Sequence, residues 1–266
     1  MNSMKVSMLS RFLKPSPTPD VLADQPASLF TPDGLARFGN YQGYGTAEPY
    51  PHLVLDDVFN PEALRAVLRE WPEMSTGDSE LHNDGTFVRR KFGTTWKTKL
   101  GFATNSYLQE LSHPAFLIVL QKVTGLSGLL PDPYFFGGGL HATAAGGKLA
   151  VHADYNKHPV TKLDRRLNLL IYLNEGWLET NGGCLELWDH EMKKCEKRIL
   201  PVFNRMVLLS TTSHSFHGQP EPIVGPAGLW RKSIALYYFS NGRPEEPGAG
   251  REEHTTLWQE RPGQGF

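Results

Sequence analysis

The sequence predicts an all-β core with a helical flank, an α+β protein whose sheet part is a sandwich or jelly roll. Three observations point there. From Pro131 to about Asn241, short segments rich in β-branched and aromatic residues alternate with Gly, Pro and Asn turns. Upstream, residues 61–71 place Leu64, Val67, Leu68 and Trp71 at spacings of three and four, the period of a helix that buries one face. No internal repeat or coiled-coil heptad runs through the chain, and 266 residues suffice for one large domain.

In chain order, residues 1–45 are rich in Ser, Pro, Thr, Gly and Asp, and read as a poorly ordered leader and arm. Residues 52–59 read as a strand. Asn60-Pro61 then gives an N-cap with proline at the first helical position, opening a helix to about Trp71. Residues 75–105 interleave Arg89, Arg90, Lys91, Lys97 and Lys99 with Phe87, Phe92 and Trp96. Two readings of that stretch stand side by side, a solvated loop or edge hairpin and a lid for an anionic substrate. A second helical region covers about 106–123, with a break near His113-Pro114 and Gly125 as its C-terminal stop. Strands are predicted over 134–140, 148–152, 166–173, 184–188, 198–202, 206–210 and 232–239. The expected organisation is a leader over 1–45, one domain over 46–244 (helical flank 46–130, jelly-roll core 131–244) and a tail over 245–266.

Charge and cysteine usage narrow the function. Lys and Arg number 27 against 28 Asp and Glu, a net charge of −1, so no general basic field exists for a nucleic acid. No run of 18 apolar residues is present, which predicts no membrane span and no signal peptide, and hence a cytoplasmic location. Ten histidines against two cysteines exclude a disulfide scaffold or a Cys-rich zinc module, so any metal would be held by histidine and carboxylate. Cys184 and Cys195 flank a predicted hairpin turn that sets Cys195 opposite Trp188, which predicts free thiols.

One spacing fits a metal. In His152-x-Asp154 the two side chains share a strand face and can reach one ion. A third ligand comes from His214 or His217; their odd separation puts them on opposite faces, and Gly218, the Pro220-x-Pro222 stretch and the downstream Arg231 favour His217. Two histidines and one carboxylate leave coordination positions open, as in non-haem Fe(II) oxygenases. Arg231 opens a strand and can grip a carboxylate bidentately. His158 is expected at the surface or against substrate, while His52, His82, His113, His190 and His254 read as structural or exposed.

Taken in order, His152-x-Asp154, Tyr172-Leu173-Asn174, Gly182-Gly183-x-Leu185, the 201–208 segment, His217 and Arg231 resemble the prolyl 4-hydroxylase-like branch of the Fe(II)/2-oxoglutarate-dependent dioxygenases. The resemblance implies a double-stranded β-helix packed by N-terminal helices, iron held by His152, Asp154 and His217, and the distal carboxylate of 2-oxoglutarate held by Arg231. It also implies a phenol from Tyr172 to that carboxylate, with Asn168, Leu170 and Leu185 lining the cosubstrate pocket. Many relatives carry a tyrosine upstream of the first ligand where this chain has His141 and Thr143, so His141 is a candidate cosubstrate contact or a hydrogen-bond donor to a metal ligand. The implied reaction hydroxylates an unactivated C–H bond, with Fe(II), 2-oxoglutarate and O2 as cofactors, ascorbate as reductant, and succinate and CO2 as products. Asp154 argues for hydroxylation, because halogenating relatives replace that carboxylate. Expected substrates are a peptidyl proline, an amino acid, a sugar or a natural product. No nucleic acid or membrane partner is expected, and the sequence is silent on oligomeric state. The competing reading is a cupin-like metal module or a zinc-dependent hydrolase on the same jelly roll, which gives Arg231 and Tyr172 no reason to lie beside a metal.

Overall fold

The computed structural model describes residues 26–74, 78–95, 97–243 and 252–266. Twelve strands and four α-helices occur among them. The helices are α1 (Pro32–Gly39), α2 (Pro61–Arg69), α3 (Phe102–Ser112) and α4 (Pro114–Thr124). The strands are β1 (His52–Asp56), β2 (Ser79–His82), β3 (Val88–Thr94), β4 (Leu130–Pro131), β5 (Gly139–Ala153), β6 (Asp164–Tyr172), β7 (Leu185–Trp188), β8 (Cys195–Ile199), β9 (Arg205–Ser210), β10 (His217–Gln219), β11 (Trp230–Ser240) and β12 (Leu257–Trp258).

The sheet curls because one strand serves both of its halves. The order is β1-β9-β6-β11-β5-β10-β7-β8, all antiparallel. The first part of β5 pairs with β11 over 139–144, and its last part pairs with β10 through Leu149 and His152. Between them lies Gly146-Gly147, where the Gly146 amide turns aside to the Ile223 carbonyl. The hairpin β2–β3 lies along β5 on the edge not used by β11 and β10, and β12 pairs with the end of β5.

Alternation decides what each face meets. Leu167, Leu169 and Ile171 of β6, Met206 and Leu208 of β9, and Ile234, Leu236 and Tyr238 of β11 pack with the helices in one core. The intervening Tyr172, Val207 and Leu209 turn inward onto Leu185, Leu187 and Ile199. Each such side chain, fully buried, contributes about 1.5–3 kcal/mol, so two faces of one sheet anchor two cores.

The helices are capped locally. The Asn60 side chain accepts from the Glu62 amide at 3.0 Å, and Gly125 closes α4 in the left-handed conformation. Helix α3 has no capping side chain of its own. Glu70, just past α2, serves instead, accepting from the Ala103 and Thr104 amides and the Thr104 hydroxyl at 3.1, 2.8 and 2.8 Å.

Several expectations need correction. Residues 26–45 are not an unstructured arm: Thr31 caps α1, and Leu29 and Phe38 are fully buried against the helical core. Pro32 opens a helix there instead of breaking one. The leader over 1–25 lies outside the described residues. Of the strand expected at 134–140 only 139–140 is strand, and it runs on through the one expected at 148–152 as a single β5, while the 245–266 tail contributes β12 to the sheet. The edge-hairpin reading of 75–105 holds, as β2 and β3, with Trp96 outside the described residues. Cys195 pairs with Trp188 in register as expected, and both thiols are free.

Candidate active site

A cavity of about 250 Å³ opens on the inner face where β5, β6, β10 and β11 meet the β2–β3 hairpin and β12. Two cross-strand rows furnish it. At one end of β5, Trp258, His152 and His217 stand opposite one another across β12, β5 and β10. At the other end, Arg231, Thr143, Lys91 and His82 form a row across β11, β5, β3 and β2. Residues directly opposite in an antiparallel ladder face the same side, so each row presents its side chains together.

The first row holds the metal-type donors. The Nδ1 atoms of His152 and His217 lie 2.9 Å from the carbonyls of Ala150 and Ser215. A carbonyl only accepts, so each Nδ1 carries the proton and each Nε2 keeps its lone pair for a ligand. Asp154 Oδ1 lies 3.6 Å from His152 Nε2, and Asp154 Oδ2 lies 3.3 Å from His217 Nε2. Adjacent ligands about 2.0–2.2 Å from a shared ion stand roughly 3 Å apart, so this donor set fits a metal with only small adjustment. Gly218 makes the geometry possible: a Cβ there would stand 2.8 Å from the Ala150 carbonyl oxygen, closing the approach of β10 to β5.

Asp154 is held from behind. Asn168 donates to its Oδ2 at 2.7 Å, and Arg165 Nη2 lies 3.1 Å from the same oxygen. Arg165 also donates twice to the Asn168 carbonyl oxygen, and its guanidinium stacks over Tyr155 and Tyr237 at 4.5 and 3.6 Å from the ring centres. It is only 1% exposed. Burial on its own would raise the Asp154 pKa, but Arg165, then His217, hold it well below the usual carboxylate range. Burial likewise lowers His152. An ionised carboxylate and a neutral imidazole are the forms a metal requires.

Arg231 is equally well set. Its Nε donates to the Gly183 carbonyl at 2.7 Å and its Nη2 to the Tyr172 hydroxyl at 3.1 Å. Gly183 has φ 67°, and a Cβ there would stand 3.2 Å from Arg231 Cδ, so the Gly182-Gly183 pair lets the guanidinium lie against the backbone. Asn168, Leu170, Leu185 and His141 all line the cavity. Tyr172, fully buried, reaches it through its bond to Arg231.

The sequence-expected residues His152, Asp154, His217, Arg231, Tyr172, Asn168, Leu170, Leu185 and His141 therefore come together. Asn168 has a more specific task than lining, since it bonds the donor carboxylate. His214 is exposed and outside the site, which leaves His217. His158 is not at the surface: it is 1% exposed, its Nε2 is 3.2 Å from Asp132, and its Nδ1 accepts from the Val160 and Thr161 amides. His82 is a cavity residue after all, as are Lys91 and Trp258. Arg165 escaped because simple alternation from Asn168 turns it outward. A bulge opposite Tyr238 and Phe239 adds a residue to β6 at Arg166 and brings Arg165 to the inner face.

Residues 138–239 match the 2OG-Fe(II) oxygenase superfamily. That stretch is similar to a 2OG-Fe(II) oxygenase domain. The matched stretch runs through β5 to β11 and contains the donor triad and Arg231. Among solved structures, the chain is similar to a Pseudomonas putida prolyl-4-hydroxylase, with 16% identity over 79% of this chain and 100% of that one and a TM-score of 0.51. A prolyl hydroxylase from Trichoplax adhaerens, in complex with a hypoxia inducible factor oxygen degradation domain peptide fragment, gives 16% identity, 85% and 94% coverage and a TM-score of 0.54. Prolyl 4-hydroxylase from Phytophthora capsici gives 18% identity, 80% and 67% coverage and 0.51. No curated protein matches the chain by sequence. The shared fold is the double-stranded β-helix, as the resemblance implied.

Proposed function

We propose that this protein is a hydroxylase that binds Fe(II) through His152, Asp154 and His217 and 2-oxoglutarate through Arg231 and Tyr172. One observation carries the reading: two imidazole Nε2 atoms with their lone pairs directed inward converge on a largely buried carboxylate, in the same cavity as an arginine fixed by a tyrosine. A metal site alone serves many chemistries, whereas the paired arginine provides for a dicarboxylate cosubstrate. With Fe(II), 2-oxoglutarate and O2 bound, the group supplies the oxidation R–H + 2-oxoglutarate + O2 → R–OH + succinate + CO2.

The protein's part is positioning and dryness. Backbone carbonyls orient the two histidines, and Asn168 and Arg165 hold Asp154 ionised and in place. Arg231 grips the far carboxylate, and Tyr172, accepting from Arg231, keeps its own hydroxyl hydrogen to donate to that carboxylate. Leu170, Leu185 and Trp258 give the cavity apolar walls that exclude water.

The test supplies Fe(II) and 2-oxoglutarate in air with a panel of free amino acids, small acids, sugars and proline-containing peptides. The expected result is succinate formed in step with a product heavier by one oxygen. A chain that binds Fe(II) but never consumes 2-oxoglutarate, or that hydrolyses substrate with Zn(II), overturns the reading.

A further inference from the structure

Among the described residues, one cation of the cavity has no ion-pair partner. Asp154 is the sole carboxylate among the residues lining it, and Arg165 already pairs with it. Arg231 is engaged by the Gly183 carbonyl and the Tyr172 hydroxyl. Lys91 stands in the same cross-strand row as Arg231, beyond Thr143. Among the described residues it makes no ion pair, and Asp154 and Glu80 act on it only through their fields.

Its surroundings are arranged for an anion. His82 is opposite Lys91 on β2, and His141 is one inward position from Thr143 on β5. Both imidazoles rest over Gly93, their atoms 3.5–3.7 Å from where a Cβ would stand. Burial, then the nearby Lys91 charge, keeps the two rings toward the neutral form, so neither competes with Lys91 as a charge. Burial pulls Lys91 down to about 8, with Asp154 opposing and Arg231 reinforcing, which leaves it mostly charged near neutrality. A half-buried cation with no counter-charge among the described residues is a cost that a bound anion relieves.

We propose that Lys91, flanked by His82 and His141, is a carboxylate subsite for the primary substrate, a small carboxylic acid whose reacting C–H bond lies between this subsite and the His152–Asp154–His217 donors. The proposal rests on the oxygenase reading above and names the substrate class of that same site. Arg231 and Lys91 lie two strand spacings apart, roughly 10 Å between backbones, enough to hold two carboxylates on separate molecules. The cavity, at about 250 Å³, is smaller than the roughly 300–1,000 Å³ of ordinary ligand pockets, so a second molecule beside 2-oxoglutarate must be small.

The experiment uses the full chain loaded with Zn(II), which is redox-inert, and saturated with 2-oxoglutarate. Into it are titrated propionate, free amino acids and small hydroxy acids, each paired with its primary amide, with binding read by calorimetry and ligand-observed NMR. The expected result is saturable binding of one or more acids and of none of the amides. Lys91→Met loses that binding by about tenfold or more, Lys91→Arg restores most of it, and both variants keep wild-type affinity for Zn(II) and 2-oxoglutarate. Equal binding of acid and amide, acid affinity unchanged in Lys91→Met, or no acid bound at all overturns the subsite. A loss of 2-oxoglutarate in Lys91→Met also overturns it, by assigning Lys91 to the cosubstrate. If the wild-type chain fails to bind Zn(II) or 2-oxoglutarate, the oxygenase reading itself fails and the subsite falls with it.

Discussion

Strands β5, β6, β10 and β11 form one wall of the cavity, and the β2–β3 hairpin with β12 forms the other. The first wall lies inside the 138–239 stretch shared with the oxygenase superfamily and carries the donor triad, Arg165 and Arg231. The second lies outside it, drawn from residues 79–94 and 257–258, and carries His82, Lys91 and Trp258. Both walls meet on β5, whose two ends present the metal-type row and the Arg231–Lys91 row. On the proposed reading the two walls divide the work: the reacting groups belong to the jelly roll, and the groups that face a substrate come from elements added at its edges.

The largest effects separate the two ends of the first wall. Asp154→Ala removes the one negatively charged donor and leaves Arg165 buried without its partner, so metal binding is lost at any practical concentration; metal titration checks this. Arg231→Met keeps the metal but weakens 2-oxoglutarate by about 10–100-fold, the worth of a charge-assisted pair. Equal loss of both ligands in Arg231→Met would make that arginine structural and erase the distinction between the ends.

Next in size is Arg165→Met. It withdraws the guanidinium from Asp154 and from the faces of Tyr155 and Tyr237, and metal affinity falls by about 10–100-fold. Because Arg165 holds the Asp154 pKa down, its loss also moves the acid limb of metal binding to higher pH, a change that simple loosening of the fold would not produce.

On the second wall the effects are smaller. Trp258 stacks on Phe87 at 4.8 Å and lies against His152 at 5.1 Å. Trp258→Ala lowers stability by about 1–2 kcal/mol, since one aromatic pair is worth about 0.5–1.5 kcal/mol beyond its buried area. Metal affinity stays near wild type, so a large loss there would show β12 to be part of the donor site. Smallest is Glu70→Ala, remote from both walls, at about 0.5–1 kcal/mol because solvent weakens the cap. Burial raises the Glu70 pKa and three hydrogen bonds more than offset it, so the folded value lies below the ordinary 4.5. The cap therefore stabilises fully above that pH and is lost as pH falls through the folded value, which thermal melts of wild type and Glu70→Ala across acid pH measure.

What could be read from residues alone follows the same division. His152-x-Asp154, and the inward set Asn168, Leu170 and Tyr172, obey a period of two, so alternation placed them. Arg165 defeats alternation because the β6 bulge breaks the period. Lys91 lay in a visible cluster of basic residues, but its neighbours on β5 are some fifty positions away, and no local pattern encodes that pairing. Strand β12 is two residues long and follows a polar stretch, too short for any periodicity to show. Helix α1 was hidden by the Pro-rich composition before it, although Thr31-Pro32 is itself a helix start.

The proposed function requires the two ends of β5 to build one site for a metal and a 2-oxoacid together. Its most direct measurement is an anaerobic calorimetric titration of 2-oxoglutarate into the protein, with and without Fe(II). One molecule is expected to bind per chain when Fe(II) is present, and far more weakly without it, because Arg231 alone holds only the far carboxylate. No binding in the presence of Fe(II), or the same affinity whether or not the metal is there, would contradict it.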